Sequence, residues 1–327
     1  MSEHTTPLSP SFEVLAVMRM SPLMEPLLRA QFTVHDRLHE SDPAAFEAVA
    51  PRIRGLVASG ESKVGAALMD RLPALEIISV MGVGYDGIDV AAAKARGVVV
   101  THTPDVLNDD VADLALALML AGSRQIVAAD RYIRDGKWPG GPMPLARKLS
   151  GSRLGVVGMG RIGQAIARRA QAFDMPVAYH TRQPKPDLPY PHVASLVELA
   201  ANSDVLVVIT PGGAATRHLI NAEVLAALGP QGLLVNVARG SVVDETALIE
   251  ALESGALGGA ALDVFADEPN VPERLRALPQ VVLTPHIGSA TRSTREAMAG
   301  LAVENLRAKA AGGAVVTAVV TAVPECR

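Results

Sequence analysis

The sequence contains few aromatic residues, a single cysteine and no excess of positive charge. Only 3% of its 327 residues are aromatic, while alanine, valine and leucine abound, which favours layered helices and strands over an all-β sandwich. The formal net charge of -4 is spread without long runs, so no basic surface for nucleic acid is expected. The single cysteine, Cys326, cannot form an internal disulfide, which is typical of a reducing compartment.

Uninterrupted hydrophobic runs of membrane-spanning length are also missing. The segment Met1–Ser11 is polar, contains two prolines and lacks the apolar centre of a signal peptide. We therefore predict a cytoplasmic protein that binds neither a membrane nor nucleic acid. We predict no metal site.

The chain contains two successive alternations of short apolar runs and helical patterns. The first begins after Ser11, with predicted strands and helices at Glu13–Met18, Leu23–Gln31, Gly55–Ala58, Val64–Leu72, Leu75–Val80, Val90–Ala95 and Val98–Val100. The second follows Gly151, with six candidate strands at Leu154–Val157, Val177–Tyr179, Val205–Ile209, Leu233–Val237, Ala260–Val264 and Val281–Leu283. Such alternation predicts an α/β protein with two doubly wound parallel-sheet domains.

The segments between and after these two sets suggest how the domains are connected. Asp109–Leu120 reads as a long apolar helix and Ala128–Arg134 as a second helix, followed by a glycine- and proline-rich arm at Gly136–Pro144. Thr291–Ala310 is a helical pattern without a strand partner in the second set, so we expect it to return to the first domain. The predicted domains are 1–102 with 290–327 for the substrate, and an inserted cofactor domain at 103–289.

A glycine motif links the first strand of the second set to an alanine-rich helix. In Gly158-Met159-Gly160-Arg161-Ile162-Gly163, Gly158 allows a tight turn, Gly160 lets the backbone approach a pyrophosphate, and Gly163 lets the helix pack on its strand. The amides at the helix start, which include those of Arg161 and Ile162, would face the anion. The motif predicts a dinucleotide site, and a glycine turn without a ligand is the alternative.

Polar residues follow three later strands of the second set. Arg239, Asp263 with Glu268, and His286 come after successive apolar runs, and open parallel sheets bind ligands beyond these strand ends. An arginine can pair with a carboxylate, and a histidine beside a carboxylate can move a proton near neutral pH. The set predicts chemistry on a small carboxylate bearing a carbonyl or hydroxyl. The structural alternatives are a helix-capping Arg239, a solvated Glu268 and a buried structural His286.

The acidic residue that NAD sites place about 20 residues after the glycines is absent. The second strand of this set continues as Tyr179-His180-Thr181-Arg182-Gln183, and the first acid after it, Asp187, lies beyond two prolines. Arg182 stands where a 2′-phosphate would lie, with Thr181 and Lys185 beside it. We predict that NADPH is preferred and NADH possible, with an exposed loop arginine as the alternative.

These motifs together resemble the D-isomer-specific 2-hydroxyacid dehydrogenase family. The matching segments occur in family order: Met81–Asp89, Gly158–Gly163, Asn236–Gly240 with Val243–Glu245, Ala261–Phe265 with Glu268-Pro269, and Thr284–Gly288. The resemblance implies a Rossmann cofactor domain inserted into a flavodoxin-like substrate domain. It implies that Arg239 binds the substrate, that His286 donates the proton and that Glu268 is its partner.

The resemblance also assigns residues around these three. It implies that the amides of Val83 and Gly84 hold the substrate carboxylate, which agrees with the anion nest that successive amides of a glycine turn can form. It implies that Asp263 lies near the nicotinamide carboxamide. The other positions that it implies beside the cofactor are Pro211, Thr216, Ala238 and Gly288.

Two further segments resemble one branch of that family, the glyoxylate/hydroxypyruvate and hydroxyphenylpyruvate reductases. They are Gly136-Lys137-Trp138 and Pro211-Gly212-Gly213 followed by Thr216. The resemblance implies an NADPH-preferring reductase of a small 2-keto acid such as glyoxylate, hydroxypyruvate or an aryl-pyruvate. It implies that Trp138 enters the substrate pocket of a neighbouring subunit. The alternative is an anchor at a dimer interface, and both interpretations imply a homodimer. An NAD(P)H-sensing regulatory binding protein of the same fold is the alternative function.

Overall fold

A computed structural model describes residues 12–319 of the protein, so Met1–Ser11 and Cys326 lie outside the described residues. The β-strands of the described chain are β1 (Glu13–Ala16), β2 (Thr33–Asp36), β3 (Ile53–Ser59), β4 (Ile77–Met81), β5 (Val99–Thr101), β6 (Leu154–Val157), β7 (Val177–His180), β8 (Val205–Val208), β9 (Leu233–Asn236), β10 (Gly259–Leu262) and β11 (Val281–Leu283).

The α-helices vary from one turn to more than five turns. They are α1 (Glu25–Arg29), α2 (Leu38–Ser41), α3 (Pro43–Val49), α4 (Ala66–Asp70), α5 (Val90–Ala95), α6 (Asn108–Arg124), α7 (Ile126–Arg134), α8 (Arg161–Gln171), α9 (Leu196–Ala201), α10 (Ala222–Leu228), α11 (Glu245–Glu253), α12 (Glu273–Arg276) and α13 (Arg292–Ala310).

The chain forms two compact units, each built on a parallel sheet. Within the described residues, the first unit combines residues 12–107 with 291–319, and the second is the continuous stretch 108–290. The domain boundaries predicted from the sequence follow residues 102 and 289. The predicted fold class, two parallel-sheet α/β domains with one inserted in the other, is confirmed.

The first unit contains a five-stranded parallel sheet in the order β2-β1-β3-β4-β5. Its core includes Phe46, Ile53 and Ile78, each of which is fully buried. Helix α13 belongs to this unit, where the Ser79 hydroxyl of β4 donates to the Ala302 carbonyl over 2.9 Å. The Thr291 side chain caps the start of α13 by accepting from the Thr294 amide.

Strand β2 was not predicted from the sequence. Its residues, Thr-Val-His-Asp, include one apolar side chain, and none of the four is buried. Strand β2 forms one edge of the sheet and pairs only with β1, so its residues need no apolar alternation. A strand of this kind has no hydrophobic period to read.

The second unit contains a six-stranded parallel sheet in the order β11-β10-β9-β8-β6-β7. All six candidate strands of the second set are present. Every residue of β6, β8, β9 and β10 is buried, as expected of central parallel strands covered on both faces. Burying each large aliphatic side chain contributes roughly 1.5–3 kcal/mol to the stability of the fold. These strands therefore hold the starting points of the loops that follow them in fixed positions.

Helices α6 and α7 begin the second unit and have opposite burial. Helix α6 buries one face, including Val111, Leu118 and Met119, whereas no residue of α7 is buried. No single helix of the described chain is long and apolar enough to cross a bilayer, although the pair α6 and α7, bent by 59°, passes the same test of length and composition. The face that α6 packs into its own unit accounts for much of that apolar content.

Candidate active site

The predicted functional residues of the second unit all follow the carboxyl ends of its parallel strands. Strands β6 and β8 are neighbours, and the strand order reverses between them. Open α/β sheets bind ligands beyond the strand ends at such a point. The residues at these ends are Gly158–Gly163 after β6, Thr181 and Arg182 after β7, Pro211 and Thr216 after β8, Ala238 and Arg239 after β9, Asp263 and Glu268 after β10, and His286 and Gly288 after β11.

Each glycine of the motif after β6 has its own steric reason. Gly158 has φ +102°, and a Cβ there would lie 2.7 Å from the Ile209 carbonyl oxygen of the neighbouring strand end. A Cβ on Gly163 would overlap the Gly158 carbonyl, so helix and turn pack without space for a side chain. A Cβ on Gly160 would meet nothing within 4 Å. The turn is therefore closed on its inner side and open at Gly160.

The start of α8 faces this opening. Gly160 is its N-cap, no side chain caps the helix, and the first helical bond runs from the Gln164 amide to the Gly160 carbonyl over 3.0 Å. An uncapped N-terminus carries partial positive charge and amides suited to an anion. The open position at Gly160 and this helix end together fit a cofactor pyrophosphate.

The segment Thr181–Lys185, here called the cofactor loop, is held from within. The hydroxyl of Tyr179, a residue only 1% exposed, accepts from the Lys185 amide over 2.7 Å and lies 3.2 Å from the Lys185 carbonyl. His192 Nε2 donates to the Thr181 carbonyl over 2.9 Å. Arg182 is exposed at the tip of this loop. The loop thus presents a cation, where an acid was expected for NAD.

The loops after β8 and β9 are each stabilised by a polar side chain. Thr216 donates to the Pro211 carbonyl over 2.8 Å, which joins the two residues predicted beside the cofactor. The buried Asn236 accepts from the Ala238 amide and donates to the Arg239 carbonyl, which fixes the turn that carries Arg239. Arg239 itself donates from Nη1 to the Ala238 carbonyl over 2.7 Å.

The Arg239 turn packs directly against the loop that carries Glu268. A Cβ on Gly240 would overlap the Phe265 carbonyl, so only glycine lets the two loops meet. A second contact joins the two segments, since Glu245 accepts from the Ala266 amide over 3.1 Å. The close approach fixes the backbone of Arg239 relative to the loop of Glu268.

Glu268 and His286 form a hydrogen-bonded pair. Glu268 Oε2 lies 2.7 Å from His286 Nδ1, while Oε1 accepts from the Phe265 amide over 2.9 Å. Both oxygens are engaged, so the carboxylate holds the imidazole in one orientation. Nδ1 carries the proton shared with Glu268, which makes Nε2 the ring atom for proton exchange.

The segment Thr284–Gly288, here called the His286 turn, is held by the carboxylate of Asp263. Asp263 is 2% exposed, and it accepts from the Thr284 hydroxyl over 2.6 Å and from the amides of Ile287 and Gly288 over 2.8 Å each. Burial raises the pKa of Asp263, while these three donors act in the opposite direction. The contact with the nicotinamide implied by the resemblance stays a prediction, since both oxygens already serve the turn.

His286 has φ +51°, a left-handed conformation that is unfavourable for a residue with a side chain. Such a conformation persists where surrounding contacts determine it. Here the Asp263 carbonyl accepts from the His286 amide over 2.9 Å, and the Asp263 carboxylate binds the two amides that follow. The strained residue is therefore held on both sides by Asp263.

In the first unit, the segment Gly82–Gly84, here called the glycine loop, follows β4. The Gly82 carbonyl accepts from the Thr103 amide over 2.8 Å, and the Val83 carbonyl lies 3.0 Å from His102 Nδ1. The predicted substrate residues Val83 and Gly84 are both half-buried. In the second unit Trp138, predicted at a substrate pocket or dimer interface, is 66% exposed.

Sequence reasoning found the residues at the strand ends and missed those that hold them. The Gly158–Gly163 turn, Arg239, Glu268 and His286 lie at one edge of one sheet, as the order of apolar runs indicated. Tyr179, Asn236 and His102 were not predicted, because each acts through a backbone group of a loop that periodicity does not describe. For Asn236 a signal was present, as a buried asparagine ending an apolar strand needs local hydrogen bonds.

Comparison with known proteins agrees with this arrangement. A family model described as "D-isomer specific 2-hydroxyacid dehydrogenase, NAD binding domain" matches residues 116–288. The chain is 48% identical over 308 residues to hydroxyphenylpyruvate reductase of Plectranthus scutellarioides, with 94% of this chain and 98% of the relative covered. It is 50% identical over 268 residues to glyoxylate/hydroxypyruvate reductase A of Arabidopsis thaliana, with 82% and 86% covered.

A solved structure shows the same fold. The NADPH-dependent glyoxylate/hydroxypyruvate reductase of Sinorhizobium meliloti, in complex with NADP and malonate, superposes with a TM-score of 0.89 at 44% identity. The match covers 96% of this chain and all of the other. With both halves of the fold and the glycine, arginine, glutamate and histidine motifs in place, the chain belongs to the D-isomer-specific 2-hydroxyacid dehydrogenase family and is an oxidoreductase.

Proposed function

We propose that this enzyme reduces small 2-keto acids to D-2-hydroxy acids and prefers NADPH to NADH. The observation that supports this type of reaction is the Glu268–His286 pair. The loop that carries Glu268 packs on the Arg239 turn. The substrates that we propose are glyoxylate, hydroxypyruvate or an aryl-pyruvate, which are the substrate types of the reductases that the chain resembles.

The residues of the second unit divide the work as follows. A bound nicotinamide supplies the hydride to the keto carbon. His286 delivers a proton from Nε2 to the keto oxygen, because Glu268 holds Nδ1 and so fixes the ring. Arg239 offers a planar fork that pairs with the substrate carboxylate and polarises the neighbouring oxygen. Because Glu268 is also tied to the Phe265 amide, the proton donor is oriented before the substrate arrives.

The cofactor preference rests on the exposed Arg182. It lies at the tip of the cofactor loop, which Tyr179 and His192 hold, and no acidic side chain of the loop competes for the ribose hydroxyls. A guanidinium binds phosphate through paired, charge-assisted hydrogen bonds. The S. meliloti reductase is NADPH-dependent and was solved with NADP, which supports the same preference here.

The direct test is the initial rate of NADPH and NADH oxidation with glyoxylate, hydroxypyruvate, phenylpyruvate, hydroxyphenylpyruvate and pyruvate. We expect turnover with NADPH, ranked by substrate size. Arg182→Ala is expected to raise the KM for NADPH about tenfold or more and to leave the KM for NADH nearly unchanged. Gln183→Ala, the exposed neighbour, serves as the control. Equal losses with both cofactors would argue against a phosphate-binding role.

The same assay separates the enzyme from the alternative of a cofactor-sensing protein. Cofactor binding without turnover of any of the five keto acids would favour the sensor. Rapid turnover would exclude a role restricted to sensing.

We further propose that the protein is a homodimer joined through α7 and the arm. Ile126, Val127 and Ile133 of α7 are each more than half exposed, as is Trp138, and Leu145 is fully exposed. The arm is bound to α7, since the Tyr132 hydroxyl donates to the Gly141 carbonyl over 2.8 Å. An ordered apolar surface of this kind typically binds a partner. Light scattering is expected to give a dimer, and Ile133→Glu is expected to shift it towards a monomer; a monomeric wild type would refute the proposal.

A further inference from the structure

His102 lies beside the glycine loop and bonds to its backbone. His102 Nδ1 lies 3.0 Å from the Val83 carbonyl oxygen, and the next residue, Thr103, donates its amide to the Gly82 carbonyl over 2.8 Å. A carbonyl only accepts, so Nδ1 carries the hydrogen of the first bond. Two consecutive carbonyls of the loop are thus bound by two consecutive residues that follow β5.

This pairing sets the direction of the next two amides. In a planar trans peptide, the carbonyl of one residue and the amide of the next point in opposite directions. Fixing the Gly82 carbonyl therefore directs the Val83 amide away from Thr103. Fixing the Val83 carbonyl directs the Gly84 amide away from His102. Neither amide donates to a backbone carbonyl within residues 12–319.

The imidazole of His102 is itself held in place. Its ring packs edge-on against Tyr85, with the centroids 5.6 Å apart and the planes at 84°. Its backbone is bound on both sides by Thr317, whose hydroxyl donates to the His102 carbonyl over 2.6 Å and whose carbonyl accepts from the His102 amide. Thr317 is in turn bound by the fully buried Asn305. The histidine is therefore fixed before any ligand binds.

We propose that His102 is a positioning residue that orients the Gly84 amide, and with Thr103 the Val83 amide, for the substrate carboxylate. The inference rests on the proposed function, since it concerns how that function's substrate is held. Two successive amides bind an anion well only when both point towards it. Thr103 acts through its backbone amide, which a change of side chain does not remove. The orienting group that a substitution can remove is the His102 imidazole.

The test compares His102→Leu with His102→Asn. Leucine keeps comparable bulk and removes the donor, whereas the asparagine amide can place a donor near the position of Nδ1. We expect His102→Leu to raise the KM for the keto acid and the inhibition constant of oxalate about tenfold, with kcat and the KM for NADPH changed less than twofold. His102→Asn is expected to recover most of this loss.

His39→Leu is the matched control. His39 is also a half-buried histidine of the first unit and packs edge-on against an aromatic ring, that of Phe46, at 6.1 Å. Within residues 12–319, its ion pair with Glu40 and its ring contact with Phe46 do not involve the glycine loop. We expect His39→Leu to leave the KM for the keto acid unchanged, so that a general effect of losing a packed histidine is excluded.

The outcomes separate this inference from the proposed function. If the wild type reduces keto acids and His102→Leu leaves the KM and oxalate inhibition unchanged, the positioning role is wrong and the function stands. Equal loss in His102→Leu and His102→Asn, or a fall in kcat without a change in KM, also contradicts it. If the wild type reduces no keto acid but retains NADPH binding, the proposed function itself fails.

Discussion

The His286 turn of the second unit and the glycine loop of the first unit are built in opposite ways. The turn is strained at His286, with φ +51°, and is held by two carboxylates, those of Asp263 and Glu268. The glycine loop contains no residue with positive φ and is held without a carboxylate, by the Thr103 amide and the His102 ring.

The difference follows from what each segment has to present. The turn must hold one side chain with a defined protonation and direction, and a buried carboxylate can fix several amides at once to do so. The loop must leave its own amides unused, so its support has to come through its carbonyls. We therefore expect changes at the turn to reduce kcat and changes at the loop to raise KM.

The largest expected effect comes from removing the group that the turn presents. His286→Ala deletes the proton donor, and kcat for keto acid reduction is expected to fall on the order of 10²–10⁴-fold. The KM for NADPH should change little, because the Gly158–Gly163 turn is untouched. Steady-state kinetics at neutral pH provide the measurement.

His218→Ala controls for this substitution. His218 is a half-exposed histidine in another loop of the second unit, 3.8 Å from Asp244. We expect the kcat of His218→Ala to remain within twofold of the wild-type value. A fully active His286→Ala enzyme would show that the left-handed residue serves only the fold.

A smaller loss is expected when the support of the turn is altered and His286 is kept. In Asp263→Asn an NH₂ group replaces one acceptor oxygen and faces an amide donor of Ile287 or Gly288. A buried donor left without an acceptor costs about 1–3 kcal/mol, so we expect kcat to fall about 10- to 100-fold. Thr284→Val removes one donor to Asp263 and should lower kcat less. If Thr284→Val is the more damaging of the two, the carboxylate is not the anchor of the turn.

The support of the glycine loop can also be altered while His102 is kept. Asn305 is fully buried, accepts from the amides of Val316 and Thr317, and donates to the Thr317 hydroxyl that binds His102. Asn305→Leu is expected to lower the free energy of unfolding by about 1–3 kcal/mol. It should raise the KM for the keto acid severalfold and leave kcat nearly unchanged. A selective loss of kcat would remove the distinction between loop and turn.

The same contrast explains what could be predicted from the sequence. The strands of the second sheet carry uninterrupted apolar runs, so the residues at their ends, including Arg239, Glu268 and His286, could be placed at one edge of the sheet from the order of those runs. The family resemblance named their roles. The edge strand β2 was missed, because its one apolar residue gives no pattern.

Support between loops could not be predicted in the same way. His102 and Val83 are 19 positions apart, and Asp263 and Gly288 are 25 apart. These contacts depend on which strands become neighbours and on side-chain direction at single positions, and hydrophobic periodicity carries neither. The Asp263 carboxylate is an example, because its position after β10 was evident from the sequence and its use by three donors of the His286 turn was not.

The smallest expected effect is a difference in how the two regions respond to pH. Burial raises the pKa of Asp263, against the effect of its three donors. A carboxyl group with a raised pKa in the folded state contributes stability below its unfolded pKa of about 3.9, and this contribution is lost as pH rises through the folded pKa. The Tm of the wild type relative to Asp263→Asn should therefore decrease as pH rises above about 4.

Asp204, also in the second unit, provides the opposite sign. A hydrogen bond from the Arg153 side chain lowers the pKa of Asp204, despite its partial burial. Its contribution is present above the unfolded pKa and is lost as pH falls through the folded pKa, so the Tm advantage over Asp204→Asn should shrink below about pH 4. Since this pair is about half exposed, its contribution to the free energy of unfolding is about 0.5 kcal/mol.

Asn305→Leu changes no ionisable group, so the difference between its Tm and that of the wild type should be independent of pH. Two slopes of opposite sign and one flat line would show that the contribution of Asp263 to the His286 turn depends on pH and that the contribution of Asn305 does not; a slope for Asn305→Leu, or parallel slopes for the two aspartates, would contradict this.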